Sequence, residues 1–210
     1  YLIVNEVNDY KQIGTTIDDA VGEAFDKTAK ILSLGYPGGP NLEKFAKLGD
    51  KNSFDLRMRI INRGGCNLSL AGLKTDVLRK SKSIKSQQDK YDLAASFQET
   101  INKILRKKTE IAMETFRKET SDNSAKSFVV AGGVAANETI RNNLEELSRT
   151  KNFKPVFPSK EFCGDNAAMI AWAGIQRYKK KLLNRKNDFV RSRWPLDKNA
   201  PFLKGPGLKI

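Results

Sequence analysis

A short strand followed by two glycines and a helix is the feature that most constrains the fold of this chain. The apolar run at 128–130 predicts a strand, Gly132 and Gly133 predict a tight turn, and 138–148 has the apolar spacing of an amphipathic helix. Glycine lets the backbone approach a ligand closely, and a helix N-terminus offers free N–H groups to an anion. Asn137 stands where an N-cap belongs. The unit predicts a phosphate or carboxylate contact, or a plain connection whose glycines serve packing.

The charge balance is strongly basic. Among 210 residues, 38 Lys and Arg outweigh 24 Asp and Glu, which gives a net charge of +14. This excess favours a polyanionic partner, with nucleic acid first, although a generally basic proteome such as that of mitochondria would produce the same balance. No apolar run reaches the roughly 18–20 residues that a membrane-spanning helix needs. An anionic membrane surface is a less favoured partner than nucleic acid, because no strongly amphipathic basic helix stands out.

Histidine is absent from the sequence, and Cys66 and Cys163 are its only cysteines. Catalysis by Ser-His-Asp or Cys-His groups within this chain is therefore excluded, and the commonest transition-metal ligand is missing. The two cysteines show neither zinc spacing nor a disulfide framework, which indicates a reducing compartment. Because residues 1–4 already read as a strand, we expect a fragment whose upstream part is missing.

An acidic helix predicted from about 17 to 32 carries three carboxylates on one face. Asp19, Glu23 and Asp26 follow i, i+4, i+7 spacing. Like charges stacked in this way repel each other, so the arrangement predicts a hydroxyl-bearing ligand, a cation or a basic partner. A solvated acidic face is the alternative. The glycines and prolines at 35–40 then predict a rigid turn with its backbone open to a ligand, and Asn41 is expected to cap a helix at 42–48.

The remaining pattern predicts an α/β protein. A hairpin at 2–4 and 10–13 precedes helices, of which the longest is expected at 91–118, and strand–helix units follow. The last helix, predicted at 167–179 with Asp165 or Asn166 as its cap, has an inner face of small residues expected to pack closely on a neighbour; these are Ala168, Ala171, Ala173 and Gly174.

Two domain-level divisions follow from this pattern. We expect one lobe over 1–180 with a helical insert at about 41–120, and a basic extended tail over 181–210. The basic stretches at 80–90 and 179–193 are candidates for phosphate contacts, although a charge run is also typical of solvated surface.

Five motifs, in the same order, resemble those of the tRNA N6-adenosine threonylcarbamoyltransferase family (the TsaD, Gcp and OSGEP proteins). They are T-I-D-D-A-V-G-E-A-F-D-K at 16–27, L-G-Y-P-G-G-P at 34–40, G-L-K-T at 72–75, A-G-G-V-A-A-N at 131–137 and C-G-D-N-A-A-M-I-A at 163–171. The R-W-P-L-D tail at 193–197 is similar to the mitochondrial branch. The family belongs to the actin-like ATPase (ASKHA) superfamily, so the resemblance implies an RNase H-like lobe with a mixed sheet and flanking helices.

The resemblance also implies an activity and its participants. The activity is transfer of threonylcarbamoyl from threonylcarbamoyl-AMP to N6 of adenosine 37 in tRNAs that read ANN codons, in synthesis of the modified base t6A. Threonylcarbamoyl-AMP would come from a separate synthase, and the mitochondrial branch implies a homodimer. A mitochondrial matrix location is expected, with the cytoplasm as the alternative.

Site residues are implied position by position. Asp26 and Gly39 would contact the adenylate, Glu23 would lie near the ribose hydroxyls, and Asn137 would contact the nucleotide from the turn at Gly132 and Gly133. Asp165 would be a ligand of one divalent metal ion, Fe or Zn, per subunit.

The sequence departs from the family pattern in one important respect. The H-x-x-x-H metal motif and the S-G-G-H-T substrate loop of the family are absent, and both are expected upstream of Tyr1. The metal site would then be completed by histidines outside this chain, and we expect these 210 residues alone to lack tight metal binding and transfer activity. Two alternatives stay open: an ATP-binding, sugar-kinase-like protein of the same superfamily, and a non-enzymatic basic RNA-binding module.

Overall fold

The computed structural model of the protein describes residues 1–120, 126–182 and 195–200. Most of the predicted basic tail, including the part of the 179–193 stretch beyond Leu182, lies outside the described residues. The chain opens with the predicted hairpin, in which β1 (Leu2–Glu6) pairs antiparallel with β2 (Asp9–Gln12). The hairpin prediction is therefore confirmed.

Six α-helices contain about half of the described residues. They are α1 (Val21–Ile31), α2 (Gly38–Ala46), α3 (Ala71–Ser81), α4 (Gln87–Glu119), α5 (Glu138–Thr150) and α6 (Ala167–Lys179). Short 3-10 turns occupy Arg59–Asn62, Gly133–Ala136 and Lys160–Phe162. None of the helices in the described ranges is long and apolar enough to cross a membrane.

The second half contains the predicted strand–glycine–helix unit and its following strand. β3 (Ser127–Val129) pairs parallel with β4 (Lys154–Val156), and α5 connects them. This mixture of helix and sheet confirms the α/β expectation. Within the described residues, however, the strands form two separate pairs, where one mixed sheet was expected.

Helix α4 lies at the centre of the hydrophobic core. It begins at Gln87, four residues before the predicted start, because Ser86 and Asp89 form a capping box: Asp89 N–H donates to Ser86 Oγ at 3.0 Å and Ser86 N–H donates to Asp89 Oδ2 at 3.1 Å. Of the apolar stripe that the 3.6-residue spacing predicts for this helix, Leu93, Phe97, Ile101, Ile104, Leu105 and Ala112 are buried, whereas Phe116 is half-buried. The Phe97 ring meets Phe25 of α1 edge to face, with centroids 5.2 Å apart.

The starts of the first two helices differ from the predictions. Helix α1 begins at Val21 and not near residue 17, because Thr16 forms a parallel bridge with Leu68, and Ile17 N–H donates to Leu68 O at 2.8 Å. Helix α2 begins at Gly38 with Pro37 as its N-cap residue, so the expectation that Asn41 caps this helix was wrong.

The expectation for α6 was right in its bounds and wrong in its packing. The helix runs from Ala167 to Lys179, as predicted, but none of its residues is buried. Trp172 is 64% exposed and Ile170 is 66% exposed. Small side chains permit a close approach between helices but do not compel one, and no described residue covers this face.

The central role of α4 leads to a stability prediction. Phe97 is 0% exposed, and replacing a fully buried Phe with Ala costs about 3–5 kcal/mol through lost burial and the cavity left behind. We therefore expect Phe97→Ala to lower the free energy of unfolding, measured with urea, by that amount. Leu78→Ala, at a position 51% exposed on α3, is the control and should change it by less than about 1 kcal/mol. Equal losses would contradict the proposed role of α4.

Candidate functional site

The first turn of α2 lies directly against Asp26 of α1. A Cβ atom added to Gly38 would stand 2.6 Å from both the Cα and an Oδ atom of Asp26, closer than any side chain tolerates. The same addition at Gly39 would meet nothing within 4 Å. Gly38 is therefore the glycine that this contact requires. Sequence reasoning singled out Gly39 and missed Gly38, because a local pattern does not tell which of two adjacent glycines faces a neighbouring helix.

A cavity of about 570 Å³ opens beside this contact. Its lining combines one carboxylate, two ammonium groups, an aromatic ring and glycine backbone: Asp26, Lys27, Lys30, Ser33, Gly35, Tyr36 and Gly38. The first-turn N–H groups of α2 have no acceptor within their own helix, and Pro40 contributes none. A carboxylate can accept hydrogen bonds from ribose hydroxyls, while lysines and free helix N–H groups suit phosphate.

Two of the three carboxylates on the acidic face are neutralised by the protein itself. Lys27 Nζ pairs with Glu23 and lies 3.5 Å from Asp19 Oδ1, while Lys74 Nζ of α3 lies 2.7 Å from Asp19 Oδ2. Burial favours a higher pKa for Asp19, but Lys74 and Lys27 together hold this pKa below its usual value. Of the three partners considered for this face, a hydroxyl-bearing ligand, a cation or a basic group, lysine side chains of the protein itself thus take the place at Asp19 and Glu23.

Asp26 is the member of the trio that remains available. It is exposed at the cavity and forms no ion pair with a described residue. Glu23, by contrast, is committed to Lys27, so a ribose contact from Glu23 would compete with that pair. The three acids look equivalent from their spacing, but the structure gives them different roles: Asp19 and Glu23 are paired with lysines, whereas Asp26 is not paired with a described residue.

Asp18 fixes the position of α3 relative to the start of α1. Its Oδ2 accepts a hydrogen bond from Ser69 Oγ at 2.5 Å, and its Oδ1 accepts from the N–H groups of Leu70 at 2.7 Å and Ala71 at 3.3 Å. A carboxylate at the N-terminus of α3 is also favoured by the helix dipole. The sequence pattern had placed Asp18 in a helix start of its own, whereas the side chain serves the start of α3.

The glycine turn lies next to α1. Gly132 has φ of +88°, and the turn Gly133–Ala136 contacts α1. Asn137 is the N-cap of α5, as predicted, since its Oδ1 accepts from Ile140 N–H at 3.0 Å. Its Nδ2 donates to Gln98 Oε1 at 2.9 Å, and the residue is buried. Both ends of the amide are engaged, so a nucleotide contact by Asn137 stays a prediction and would compete with these bonds.

Arg141 connects the glycine turn to the loop that leads to Asp165. Its Nε donates to Ala135 O at 3.1 Å and its Nη2 donates to Pro158 O at 2.8 Å, while the guanidinium lies 5.0 Å from the centroid of the Phe157 ring. The planar fork of arginine can hold two carbonyls and stack on a ring at once. Sequence reasoning missed Arg141, because no local pattern indicates its contact with Pro158, which lies 17 positions away.

Asp165 is exposed and stands next to Asn166, whose Oδ1 caps α6 by accepting from Met169 N–H at 2.9 Å. Asn166 is therefore the cap that the sequence left open between the two residues. The described residues contain no group of three or more His, Cys, Asp or Glu that could hold a metal ion. One carboxylate does not meet the three or four protein ligands typical of a zinc site, so the described part of the chain does not by itself fit the expected metal.

The close contact between α1 and α2 yields a paired prediction. Gly38→Ala would force a Cβ into Asp26, so we expect a lower free energy of unfolding and a distorted cavity. Gly39→Ala meets open space and improves helix propensity, so its stability should be unchanged or about 1 kcal/mol higher. Urea unfolding of the two variants measures the difference. Equal stability of both variants would contradict the described contact.

An ion cluster at the N-terminus of α5 makes stability depend on pH. Glu138 lies 2.5 Å from Lys160 Nζ and 3.1 Å from the Nζ of Lys47, the residue after α2, and its N–H donates to Glu43 Oε1. The hydrogen bond from Lys160, followed by that from Lys47, lowers the pKa of Glu138 from 4.5 to about 2. A carboxylate whose pKa is lower in the folded state than in the unfolded state contributes to stability at pH values above its unfolded-state pKa. This contribution is lost as the pH falls through the folded-state pKa.

We therefore expect Glu138→Gln to be less stable than the parent protein by a constant amount above pH 4.5. This difference should shrink as the pH falls from 4.5 towards 2. Urea midpoints at a series of pH values measure it. Asp55→Asn, at an exposed position without an ion pair to a described residue, is the control and should show no such trend. A difference for Glu138→Gln that stays constant to pH 2 would contradict the assignment.

Comparison with known proteins places the chain in a family. The family model described as TsaD, tRNA N6-adenosine threonylcarbamoyltransferase, matches residues 1–172. A protein of that name from Pelagibacter ubique is 54% identical over 210 residues, which are 100% of this chain and 58% of the relative. Others of the same name are 44% identical, from Rickettsia rickettsii over 94% of this chain and from Bartonella bacilliformis over 98%.

The chain spans 58% of the length of each of these relatives. The matched residues include all five motifs that suggested the resemblance, with the cavity at Asp26 and the turn at Gly132 among them. The chain belongs to the TsaD family of tRNA N6-adenosine threonylcarbamoyltransferases.

Proposed function

We propose that this chain is the C-terminal part of an enzyme that transfers threonylcarbamoyl from threonylcarbamoyl-AMP to N6 of adenosine 37 in tRNAs reading ANN codons. Family membership supports the reaction class. The observation that carries the proposal is the close approach of Gly38 to Asp26 beside a cavity of about 570 Å³. It brings the first turn of α2 next to a carboxylate that has no ion pair with a described residue, and both groups suit an adenylate.

The contacts proposed for the adenylate follow from the chemistry of each group. Asp26 accepts hydrogen bonds from the ribose hydroxyls, and the N–H of Gly39 in the first turn of α2 donates to the phosphate. Lys30, which forms no ion pair with a described residue, offsets the phosphate charge from the cavity wall. Glu23 reaches the ribose only by exchanging its bond with Lys27.

The opposite wall of the nucleotide site is assigned to the glycine turn. Gly132 and Gly133 leave the backbone uncovered, since a Cβ at either position would meet nothing within 4 Å. Asn137 contacts the nucleotide if its bond to Gln98 is exchanged for one to the ligand. The contact between the turn and α1 supports this arrangement.

The wider assignments are part of the same proposal. Residues 1–180 form an actin-like, RNase H-like lobe with a helical insert at about 41–120, followed by the basic tail. The enzyme acts as a homodimer in the mitochondrial matrix, with the cytoplasm as the alternative. One divalent metal ion, Fe or Zn, is bound through Asp165 and histidines outside this chain; the described donor set is too small to support any reaction step through it.

The proposal is tested on the full-length protein that contains this chain. We expect Asp26→Asn to weaken binding of threonylcarbamoyl-AMP, measured by calorimetry, by at least about tenfold, because hydrogen bonds to a charged acceptor contribute about 1.5–3 kcal/mol. Formation of t6A, measured by mass spectrometry of tRNA nucleosides, should fall in parallel. Asp55→Asn removes the same charge at an exposed position outside the cavity and is the control.

Two outcomes would contradict the proposal. The first is unchanged affinity and t6A yield in Asp26→Asn. The second is a parent protein that forms no t6A but hydrolyses ATP, which would favour the kinase-like alternative of the same superfamily.

A further inference from the structure

A second cleft, of about 350 Å³, lies on the far side of α3 from Asp19. Three arginines stand at this cleft: Arg57 and Arg63, which lie before α3, and Arg79 in its last turn. The other lining residues are mostly apolar or small: Met58, Ile60, Ser69, Gly72, Leu73, Thr75, Asp76 and Ile104. None of the residues proposed to bind the adenylate lines this cleft.

The cleft has an uncompensated positive charge. Asp76 is the one carboxylate among the described lining residues, and it is only 4% exposed. The Oδ2 of Asp76 accepts a hydrogen bond from the backbone N–H of Arg57 at 3.0 Å, and its Oδ1 lies 4.0 Å from Arg79 Nη1. Arg57 and Arg63 form no ion pair with any carboxylate in the described ranges. Two guanidinium groups are therefore left to attract an anion.

The backbone that presents these arginines is fixed from beneath. Lys108 of α4 is 0% exposed, and its Nζ donates to Arg63 O at 2.6 Å and to Gly65 O at 3.0 Å. The buried carboxylate of Asp76 holds the backbone of Arg57 in the same way. Recognition groups on a fixed backbone lose less conformational freedom on binding than groups on a free loop.

The floor of the cleft is apolar, which bears on the kind of anion. Ile60, Leu73 and Ile104 are 5%, 3% and 1% exposed, and they lie beneath the charged rim. A free inorganic phosphate would use only the rim. A nucleotide within an RNA chain offers phosphate to the arginines and a sugar or base to the apolar floor, and arginine planes also stack on unpaired bases.

Helix α3 has this cleft on one face and contacts Asp19, just before α1, from another. Gly72, Thr75, Asp76 and Arg79 follow i, i+3, i+4, i+7 spacing and line the cleft, whereas Lys74 of the same helix contacts Asp19 near α1. We propose that the cleft formed by Arg57, Arg63 and Arg79 binds a backbone phosphate of an RNA substrate. The identification of that RNA as tRNA rests on the proposed function.

The test measures binding of a tRNA transcript by fluorescence anisotropy at several salt concentrations, with the same protein that is used for the adenylate assay. The double variant Arg57→Gln/Arg63→Gln should bind about tenfold more weakly or worse. The slope of log K against log salt should become shallower by about 1–2, since each lost phosphate contact removes about 0.9 from it. Affinity for threonylcarbamoyl-AMP should be unchanged.

A matched control removes the same charge elsewhere. Lys118 and Lys154 are exposed and have no ion pair with a described residue. Lys118 lies about 21 Å further along α4 than Ile104, well beyond the ~8 Å Debye length at physiological salt. Lys154 follows Phe153, whose ring packs on Phe116 near the same end of the helix. Lys118→Gln/Lys154→Gln should therefore bind tRNA within about twofold of the parent protein.

A third variant keeps the test decisive if the arginine variant does not fold, as judged by its thermal melt. Thr75→Glu places a negative charge on the exposed rim without removing any contact to the core, and should weaken tRNA binding by at least about fivefold. Parent-like binding by a folded Arg57→Gln/Arg63→Gln protein, or an equal loss in the lysine control, would overturn the inference.

If the protein binds poly-glutamate more tightly than tRNA, and Arg57→Gln/Arg63→Gln abolishes that binding, the RNA inference is overturned in favour of an acidic protein partner.

The two proposals fail separately. Arginine-dependent tRNA binding in a protein that forms no t6A would retain the cleft and reject the transfer reaction, whereas t6A formation with unchanged tRNA binding in the arginine variant would do the reverse.

Discussion

The candidate site depends on the absence of one side chain. Gly38 lets the first turn of α2 lie against Asp26 of α1, at a distance that a methyl group would prevent. The contact is backed by core residues on both helices, with Phe25 and Ala29 of α1 and Leu42 of α2 all buried. Because α2 starts at this contact, Gly38 in its first turn lines the same cavity as the carboxylate. Without the contact, the acid and the donors would belong to two unrelated surfaces.

The charges around α1 are distributed so that one carboxylate has no ion pair with a described residue. Asp18 is used by the start of α3, Asp19 by Lys74 and Lys27, and Glu23 by Lys27. Buried carboxylates are costly unless they are paired, so this partnering is what the fold requires of the inner acids. Asp26 lies outward from these pairs and keeps its lone pairs for a ligand. Helix α3, whose Lys74 pairs with Asp19, carries the arginine cleft on its other side.

Local patterns were enough to predict the parts of the molecule that local forces decide. The strand before Gly132, the turn, the helix after it and the capping role of Asn137 all follow from neighbouring residues, as do the buried stripe of α4 and the bounds of α6. Gly38, Arg141 and Lys108 could not be found in this way, because each owes its role to a group distant in sequence. The starts of α1 and α2 were misjudged for the same reason: a bridge to Leu68 and the contact with Asp26 decided them.

The central claim is that the turn at Gly38, against Asp26, is where the adenylate binds. Hydrogen–deuterium exchange with and without threonylcarbamoyl-AMP tests it most directly, since first-turn amides lack acceptors in their own helix and exchange readily until a ligand occupies them. The account predicts slower exchange at Gly38 and Gly39 and in the turn at Gly132 and Gly133, with the arginine cleft unaffected. Protection confined to residues 57–63, or unchanged exchange at Gly38 and Gly39 under saturating ligand, would contradict it.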